Sequence, residues 1–127
     1  MSYGFVYILG NPAFPNIFKI GMTSRSPSLR CKELSDSTAA PSPFVLVAYY
    51  EFANPREVEQ EIHEWLDEYR VSENREFFEV DVYYVAEEIG QFRPLSTYES
   101  PIIDIVGMGG EPFPSTKKAR NTEQEDE

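Results

Sequence analysis

Two short apolar segments separated by a proline-rich turn constrain the fold of this chain more than any other feature. Residues 4–9 (GFVYIL) and 17–21 (IFKIG) are rich in β-branched and aromatic residues, and the stretch GNPAFPN between them has the composition of a turn. Residues of these types favour a pleated, largely buried strand. The sequence therefore predicts an antiparallel hairpin at the beginning of the chain.

A helix and a third strand are expected after the hairpin. The Ser-Pro pair at residues 26–27 marks a helix start, because proline at the first helical position loses no backbone hydrogen bond. We expect this helix to run to about Ser35, with Leu29 and Leu34 facing the core. Residues 44–52 (FVLVAYYEF) are the strongest strand signal in the chain.

The next segment has the pattern of a long amphipathic helix. The residues Asn54-Pro55-Arg56-Glu57 resemble a capping box with proline at the first helical position, and we expect the helix to end at about Arg70. One side is apolar and is expected to face the core: Val58, Ile62, Trp65, Leu66 and Tyr69. The opposite side is an acidic ridge that consists of Glu57, Glu61, Glu64 and Glu68. Glu59 and His63 flank the apolar stripe, where a side chain can face a cleft.

A strand at residues 77–80 (FFEV) and a helix at residues 82–91 complete the predicted elements. The order β-β-α-β-α-β-α predicts an α+β fold, in which a small and mostly antiparallel sheet is flanked by helices. We expect a single domain over residues 1–93 and a C-terminal extension over residues 94–127. That extension is expected to be largely disordered after about residue 114, although its apolar segment PIIDIV can dock on the domain.

The charge of the chain is acidic and unevenly distributed. Its formal net charge is −11, but residues 1–50 carry a balance of +2 and residues 51–93 carry −9. Phosphate contacts need lysine and arginine, so the sequence leaves room only for a modest basic surface beside the hairpin. Cys31 is the only cysteine, which excludes an intramolecular disulfide and favours a reducing compartment. No leader pattern or membrane-length apolar run is present, so we expect a soluble cytoplasmic protein without a membrane partner.

Five short motifs occur in order along residues 3–80. They are Val6-Tyr7-Ile8-Leu9 with Asn11, Lys19-Ile20-Gly21 with Thr23, Arg30 with Glu33-Leu34, Glu59 with His63, and Arg75-Glu76-Phe77-Phe78. This set resembles the GIY-YIG endonuclease superfamily, in particular a phage and bacterial branch whose second motif reads K-I-G. The resemblance implies a GIY-YIG-like nuclease fold, in a bacterial or phage-infected cell. Taken singly, each residue also has an ordinary structural explanation, and it is their combination in order that favours function.

The resemblance implies a metal-dependent endonuclease that hydrolyses phosphodiester bonds in DNA, with Mg²⁺ or Mn²⁺ as its metal. Tyr7 matches the tyrosine that acts on the attacking water as a base or a positioning group. Arg30 matches the arginine that holds the scissile phosphate, and Glu59 matches the single acidic metal ligand. Gly21 closes the second motif, where a side chain would obstruct the approach of backbone or phosphate. Lys19 stands where many relatives have a second tyrosine.

The chemistry implied by the resemblance is physically reasonable. The transition state of phosphodiester hydrolysis carries added negative charge, which a metal and an arginine stabilise. One carboxylate with several waters suits Mg²⁺. A tyrosine with an ordinary pKa of about 10 needs a neighbouring cation to act as a base at neutral pH, and Lys19 and His63 are the two candidates. We also expect Arg25, Thr23 and Lys32 to contact the substrate.

The sequence leaves some alternatives open. The family's asparagine in the last segment has two nearest matches, Asn74 and Glu76. After Arg93 only three cations could contact phosphate (Lys117, Lys118 and Arg120), so we expect no separate DNA-binding domain there and weak or structure-directed specificity. The alternative function is a catalytically weak binding module, whose acidic ridge contacts a basic protein partner. A homodimer would add DNA contacts, but no sequence feature decides that point.

Overall fold

The predicted hairpin forms the centre of a six-stranded sheet. The structure is a computed structural model that describes residues 3–37, 42–71 and 74–103. Strand β1 (Gly4–Asn11) pairs antiparallel with β2 (Phe14–Thr23), in a register that places Tyr7 opposite Gly21. The hairpin is thereby confirmed. Both strands are longer than predicted, and the turn between them is correspondingly short, with only two residues.

The remaining elements complete an α+β fold. In chain order they are α1 (Pro27–Ser37), β3 (Val45–Phe52), α2 (Pro55–Trp65), a 3₁₀ helix (Asp67–Tyr69), β4 (Arg70–Val71), β5 (Asn74–Glu79), α3 (Val82–Gly90) and β6 (Ser96–Glu99). The strands are ordered β4-β5-β2-β1-β3-β6, and each pairing between the described strands is antiparallel. The predicted fold class is therefore confirmed, with two short edge strands added to the predicted order.

The alternation of side chains along β1 divides the interior into two layers. Val6 and Ile8 belong to the larger cluster, which contains buried residues of α2 and α3. Tyr7 and Leu9 point to the other face, where they pack with Cys31 of α1. Successive residues of a strand face opposite sides of the sheet, so this one strand contributes to both layers.

Two predictions about which residues face the core were wrong. Leu29 is 43% exposed, because Cys31 and Leu34 occupy the side of α1 that packs on the sheet. A helix turns about 100° per residue, so Leu29 cannot share a face with both of them. Trp65 is 37% exposed and packs on Tyr84 with the ring centroids 4.7 Å apart.

Two predictions about α2 were also wrong. Pro55 stands at the first helical position as predicted, but the Asn54 side chain makes no capping hydrogen bond. The helix ends at Trp65 rather than near Arg70. Arg70 instead begins β4, where it pairs with Phe78 of β5. A residue that the sequence pattern assigned to the helix is therefore part of the sheet. The glutamates of the acidic ridge are exposed, as predicted, but Glu68 lies in the 3₁₀ helix rather than on α2.

Strand β6 formed where the sequence showed no pattern. All four of its residues are exposed, so it has no apolar alternation, and it is held by antiparallel pairing with β3. Beyond it, Ile102 and Ile103 dock on the core as expected for the PIIDIV segment. The rest of that segment, the loop at residues 38–41 and the tail predicted to be disordered lie outside the described residues. No helix in the described ranges combines the length and apolarity needed to cross a membrane.

Two glycines provide a matched test of packing in this fold. A Cβ on Gly4 would lie 2.7 Å from the carbonyl oxygen of Thr23 and 3.1 Å from Cγ of Pro55, whereas a Cβ on Gly90 would meet nothing within 4 Å. We expect Gly4→Ala to lower the free energy of unfolding by about 1–3 kcal/mol, since backbone atoms must move. We expect Gly90→Ala to raise it by about 0.4–1 kcal/mol, since alanine restricts the unfolded chain. Urea unfolding monitored by circular dichroism measures both, and equal effects of the two substitutions would contradict the packing described.

Candidate active site

The motif residues converge on the part of β2 that extends past its pairing with β5. That pairing runs from Ile17↔Glu79 to Lys19↔Phe77. Ile20 is the next residue of β2 after this pairing. Its carbonyl oxygen lies 2.6 Å from Nε2 of His63 on α2. A carbonyl oxygen only accepts hydrogen bonds, so this nitrogen is the donor and carries a proton. The contact holds α2 against β2 where the pairing with β5 has ended.

Glu59 lies one helical turn before His63 and is largely buried. Its side chain is 16% exposed, and one of its carboxylate oxygens lies 3.8 Å from Nε2 of His63. Burial raises the pKa of Glu59 above its ordinary value; His63 opposes the rise, Glu76 adds to it, and Arg56 and Lys19 lower it. The chain thus holds a carboxylate whose charged form lacks full compensation, which is the electrostatic condition that a bound cation would relieve.

Tyr7 packs directly over Gly21. Tyr7 is 2% exposed, and its ring crosses over the glycine that faces it in the register. A Cβ on Gly21 would lie 2.5 Å from the Tyr7 hydroxyl oxygen and 2.8 Å from Cζ. Burial raises the pKa of Tyr7, and the neighbouring Arg30 guanidinium opposes that rise. Glycine at this position is therefore a steric requirement for the placement of the tyrosine.

Lys19 and Glu76 form an ion pair beside these groups. The Lys19 side chain is 10% exposed and its ammonium pairs with the Glu76 carboxylate. The same ammonium lies 5.2 Å from the centroid of the Phe77 ring. The charge of Glu76 raises the pKa of both Tyr7 and Glu59, so Glu76 belongs electrostatically to the same site.

The structure thus assembles one group of side chains, which we call the candidate cluster: Tyr7, Lys19, Gly21, Arg30, Glu59, His63 and Glu76. Six of these were predicted site residues. Glu76 was recognised from the sequence as part of the fifth motif and as one of two nearest matches to the family's asparagine, but it was not among the predicted site residues. The side chain of Asn74, the other match, lies outside the described part of the structure.

The three predicted substrate-binding residues lie outside the candidate cluster. Arg25 is exposed and makes a two-pronged ion pair with Glu33, with N–O distances of 3.0 and 2.8 Å. Lys32 is exposed and pairs with Asp36 at 2.9 Å. Thr23 is buried, and its hydroxyl oxygen accepts a hydrogen bond from the backbone N–H of Arg25 at 3.1 Å. Their contacts with substrate stay a prediction.

The donor set restricts the kind of metal that the candidate cluster could hold. Within the described residues, no three His, Cys, Asp or Glu side chains are grouped so as to hold a metal ion. The arrangement does not suit Zn²⁺, which is usually bound by three or four protein ligands. A single buried carboxylate, Glu59, does fit a cation such as Mg²⁺ that keeps several of its waters.

Comparison with known proteins gives one positive result. The profile of the T5orf172 domain matches residues 4–93, a range that contains all members of the candidate cluster. No curated protein and no solved structure matches the chain significantly. The matched family is a domain of the endonuclease type. Because the match spans well over half of its residues, the chain belongs to the T5orf172 domain family.

Proposed function

We propose that the chain is a metal-dependent endonuclease of the GIY-YIG type that hydrolyses phosphodiester bonds in DNA. One observation carries the proposal. Arg30 of α1 and Glu59 of α2, which come from two separate helices, both act electrostatically on Tyr7 of β1, whose ring covers Gly21. A hydroxyl, a guanidinium and a buried carboxylate together are what hydrolysis of a phosphodiester needs.

Each residue has a distinct role in the proposed reaction. Glu59 would hold Mg²⁺ or Mn²⁺, which supplies positive charge against the charge that develops on the phosphate. The guanidinium of Arg30 would bind a non-bridging oxygen of the scissile phosphate and keep it in line. Because the pKa of Tyr7 is raised, this residue is a neutral phenol in the free protein. A neutral phenol orients the attacking water by hydrogen bonding, so the positioning role is favoured over that of a resident base.

Lys19 and His63 support this arrangement through different contacts. The Lys19 ammonium lowers the pKa of Glu59 and is held in place by Glu76 and Phe77. His63 anchors α2 to β2 through the Ile20 carbonyl. In the proposed enzyme, Lys19 would favour the ionised, metal-binding form of Glu59, and His63 would hold that carboxylate at its place along the strand.

The exposed acidic ridge of α2 favours one alternative function. Its four glutamates are exposed, Glu57, Glu61 and Glu64 on α2 and Glu68 in the 3₁₀ helix that follows. Such a surface could contact a basic protein, in which case the chain would be a catalytically weak binding module of the same fold. Cleavage that depends on Glu59 would support the endonuclease, whereas tight binding of a basic protein without any cleavage would support the module.

Substitution of the metal-ligand candidate should separate catalysis from stability. We expect Glu59→Gln to reduce cleavage of supercoiled plasmid in Mg²⁺ or Mn²⁺ by about 100-fold or more, since the amide cannot supply the anionic ligand. The same variant should melt at a higher temperature than the wild type at pH 7, because it removes a buried charge. Because the pKa of Glu59 is raised in the folded protein, this carboxyl ionises more easily in the unfolded chain. Ionisation of Glu59 therefore destabilises the fold as the pH rises above about 4.5.

The gain in melting temperature should therefore vanish below about pH 4.5, where both states are protonated. Glu61→Gln on the acidic ridge is the matched control, since that side chain is exposed and should change neither cleavage nor melting. Undiminished cleavage by Glu59→Gln, with EDTA abolishing the activity of both proteins, would show that another group binds the metal.

The steric role of Gly21 gives a second test of the same site. We expect Gly21→Ala and Tyr7→Phe each to reduce kcat/KM by about 100-fold, because one displaces the hydroxyl and the other removes it. Their combination should cost little more than either alone, since both act through the same hydroxyl. Single-turnover cleavage of the variants measures this, with Gly90→Ala as the control. Losses that multiply in the double variant would contradict a shared role.

A further inference from the structure

Three aromatic rings form a continuous row on the α1 face of the sheet, next to the candidate cluster. Tyr49 of β3 lies directly opposite Tyr7, and Tyr98 of β6 lies directly opposite Tyr49. The rings of Phe5 and Tyr49 meet edge to face with their centroids 5.3 Å apart. The rings of Tyr49 and Tyr98 are stacked with their centroids 5.1 Å apart. We call Phe5, Tyr49 and Tyr98 the aromatic row.

The aromatic row runs from the interior of the protein to its surface. The middle ring, Tyr49, packs against the cluster that contains Tyr7, Leu9 and Cys31. At the outer end, Tyr98 is 41% exposed, on a strand whose four residues all face solvent. A tyrosine stacked on a second ring but open on its outer side presents a flat, rigid surface to a ligand. The row is therefore continuous with the candidate active site and accessible from outside.

The surroundings of the row do not favour the phosphate backbone as its occupant. Glu51 accepts a hydrogen bond from the hydroxyl of Ser96 at 3.0 Å, which places a carboxylate beside β6. The cations on and just before α1 are engaged with carboxylates, Arg25 and Arg30 with Glu33 and Lys32 with Asp36. A protein with a net charge of −11 has little capacity for phosphate contacts in general. Stacking on aromatic rings acts on the face of the base rather than on the phosphate, and it tolerates any sequence because every base has a π-face.

We propose that the aromatic row binds unpaired bases next to the scissile phosphate, so that the substrate is DNA with a single-stranded segment. This inference rests on the proposed function, because the endonuclease activity is what makes the neighbouring cluster a cleavage site. Neighbouring strands lie about 4.8 Å apart, so Tyr98 stands two strands, or about 10 Å, from Tyr7. Stacked bases rise about 3.4 Å each, so the row begins within about three bases of the cleavage point.

Two properties follow from binding through bases. Intact duplex DNA keeps the faces of its bases in its own stack, so it cannot occupy the row without being opened. Single strands, flaps and gaps present these faces directly, and they are the expected substrates. Affinity should also depend only weakly on salt, because few phosphate contacts release counterions.

The test is a binding measurement in EDTA, which needs no catalysis. Fluorescence anisotropy would compare a labelled single-stranded oligothymidylate with a duplex of the same length, at several salt concentrations. We expect the wild type to bind the single strand more tightly, and Tyr98→Ala to weaken that binding by about 5- to 100-fold. Tyr98→Phe should retain the affinity, because the ring remains. Phe14→Ala removes an equally exposed ring at the distant hairpin turn and should change nothing.

The outcomes separate this inference from the proposed function. Equal affinity for single strand and duplex, no detectable binding of either, or unchanged affinity in Tyr98→Ala would each overturn the role of the aromatic row, even if the protein cleaves DNA. Loss of affinity in both Tyr98→Ala and Tyr98→Phe would point to the hydroxyl and also overturn stacking. A protein that binds single strands through Tyr98 but cleaves no DNA in Mg²⁺ or Mn²⁺ would support the row and overturn the endonuclease.

Discussion

The antiparallel register between β1 and β2 is the constraint on which the rest of the molecule depends. It sets Tyr7 opposite Gly21, the residue that leaves room for the tyrosine ring. Side chains alternate along a strand, so a slip of one residue would exchange the two faces of β1. Val6 and Ile8 would leave the layer formed with α2 and α3, and the candidate cluster would lose the hydroxyl of Tyr7. Core and site therefore depend on the same pairing.

The position of Glu59 follows from a hydrogen-bonding requirement of the sheet. Ile20 is fully buried, and its carbonyl group needs a partner after the pairing of β2 with β5 has ended. His63 donates that hydrogen bond from α2. The carboxylate one turn earlier is thereby carried into a largely buried position beside β2, where its charge lacks full compensation. A structural contact thus creates the electrostatic condition on which the proposed metal site rests.

The elements that could be predicted are those with strong local signals. The hairpin, β3 and the starts of α1 and α2 at Pro27 and Pro55 agree with the structure, because apolar runs and proline restrict the backbone wherever they occur. Short, exposed strands carry no such signal. β4 has two residues and β6 has four, and their pairing partners alone make them strands. Helix α2 likewise ends earlier than its sequence pattern predicts, and Arg70 pairs with Phe78 of β5 instead of continuing the helix.

For the site, the order of the motifs was enough to identify six members of the candidate cluster, since residue type and spacing are properties of the chain. Sequence could not reveal that Glu76 neutralises Lys19, or that Tyr49 and Tyr98 stack beside Tyr7. These contacts join residues far apart in the chain, and their distances depend on strand order and register. Chemistry that resides in single residues is readable from the sequence. Burial, charge compensation and ring stacking arise between elements, so they exist only once the sheet has formed.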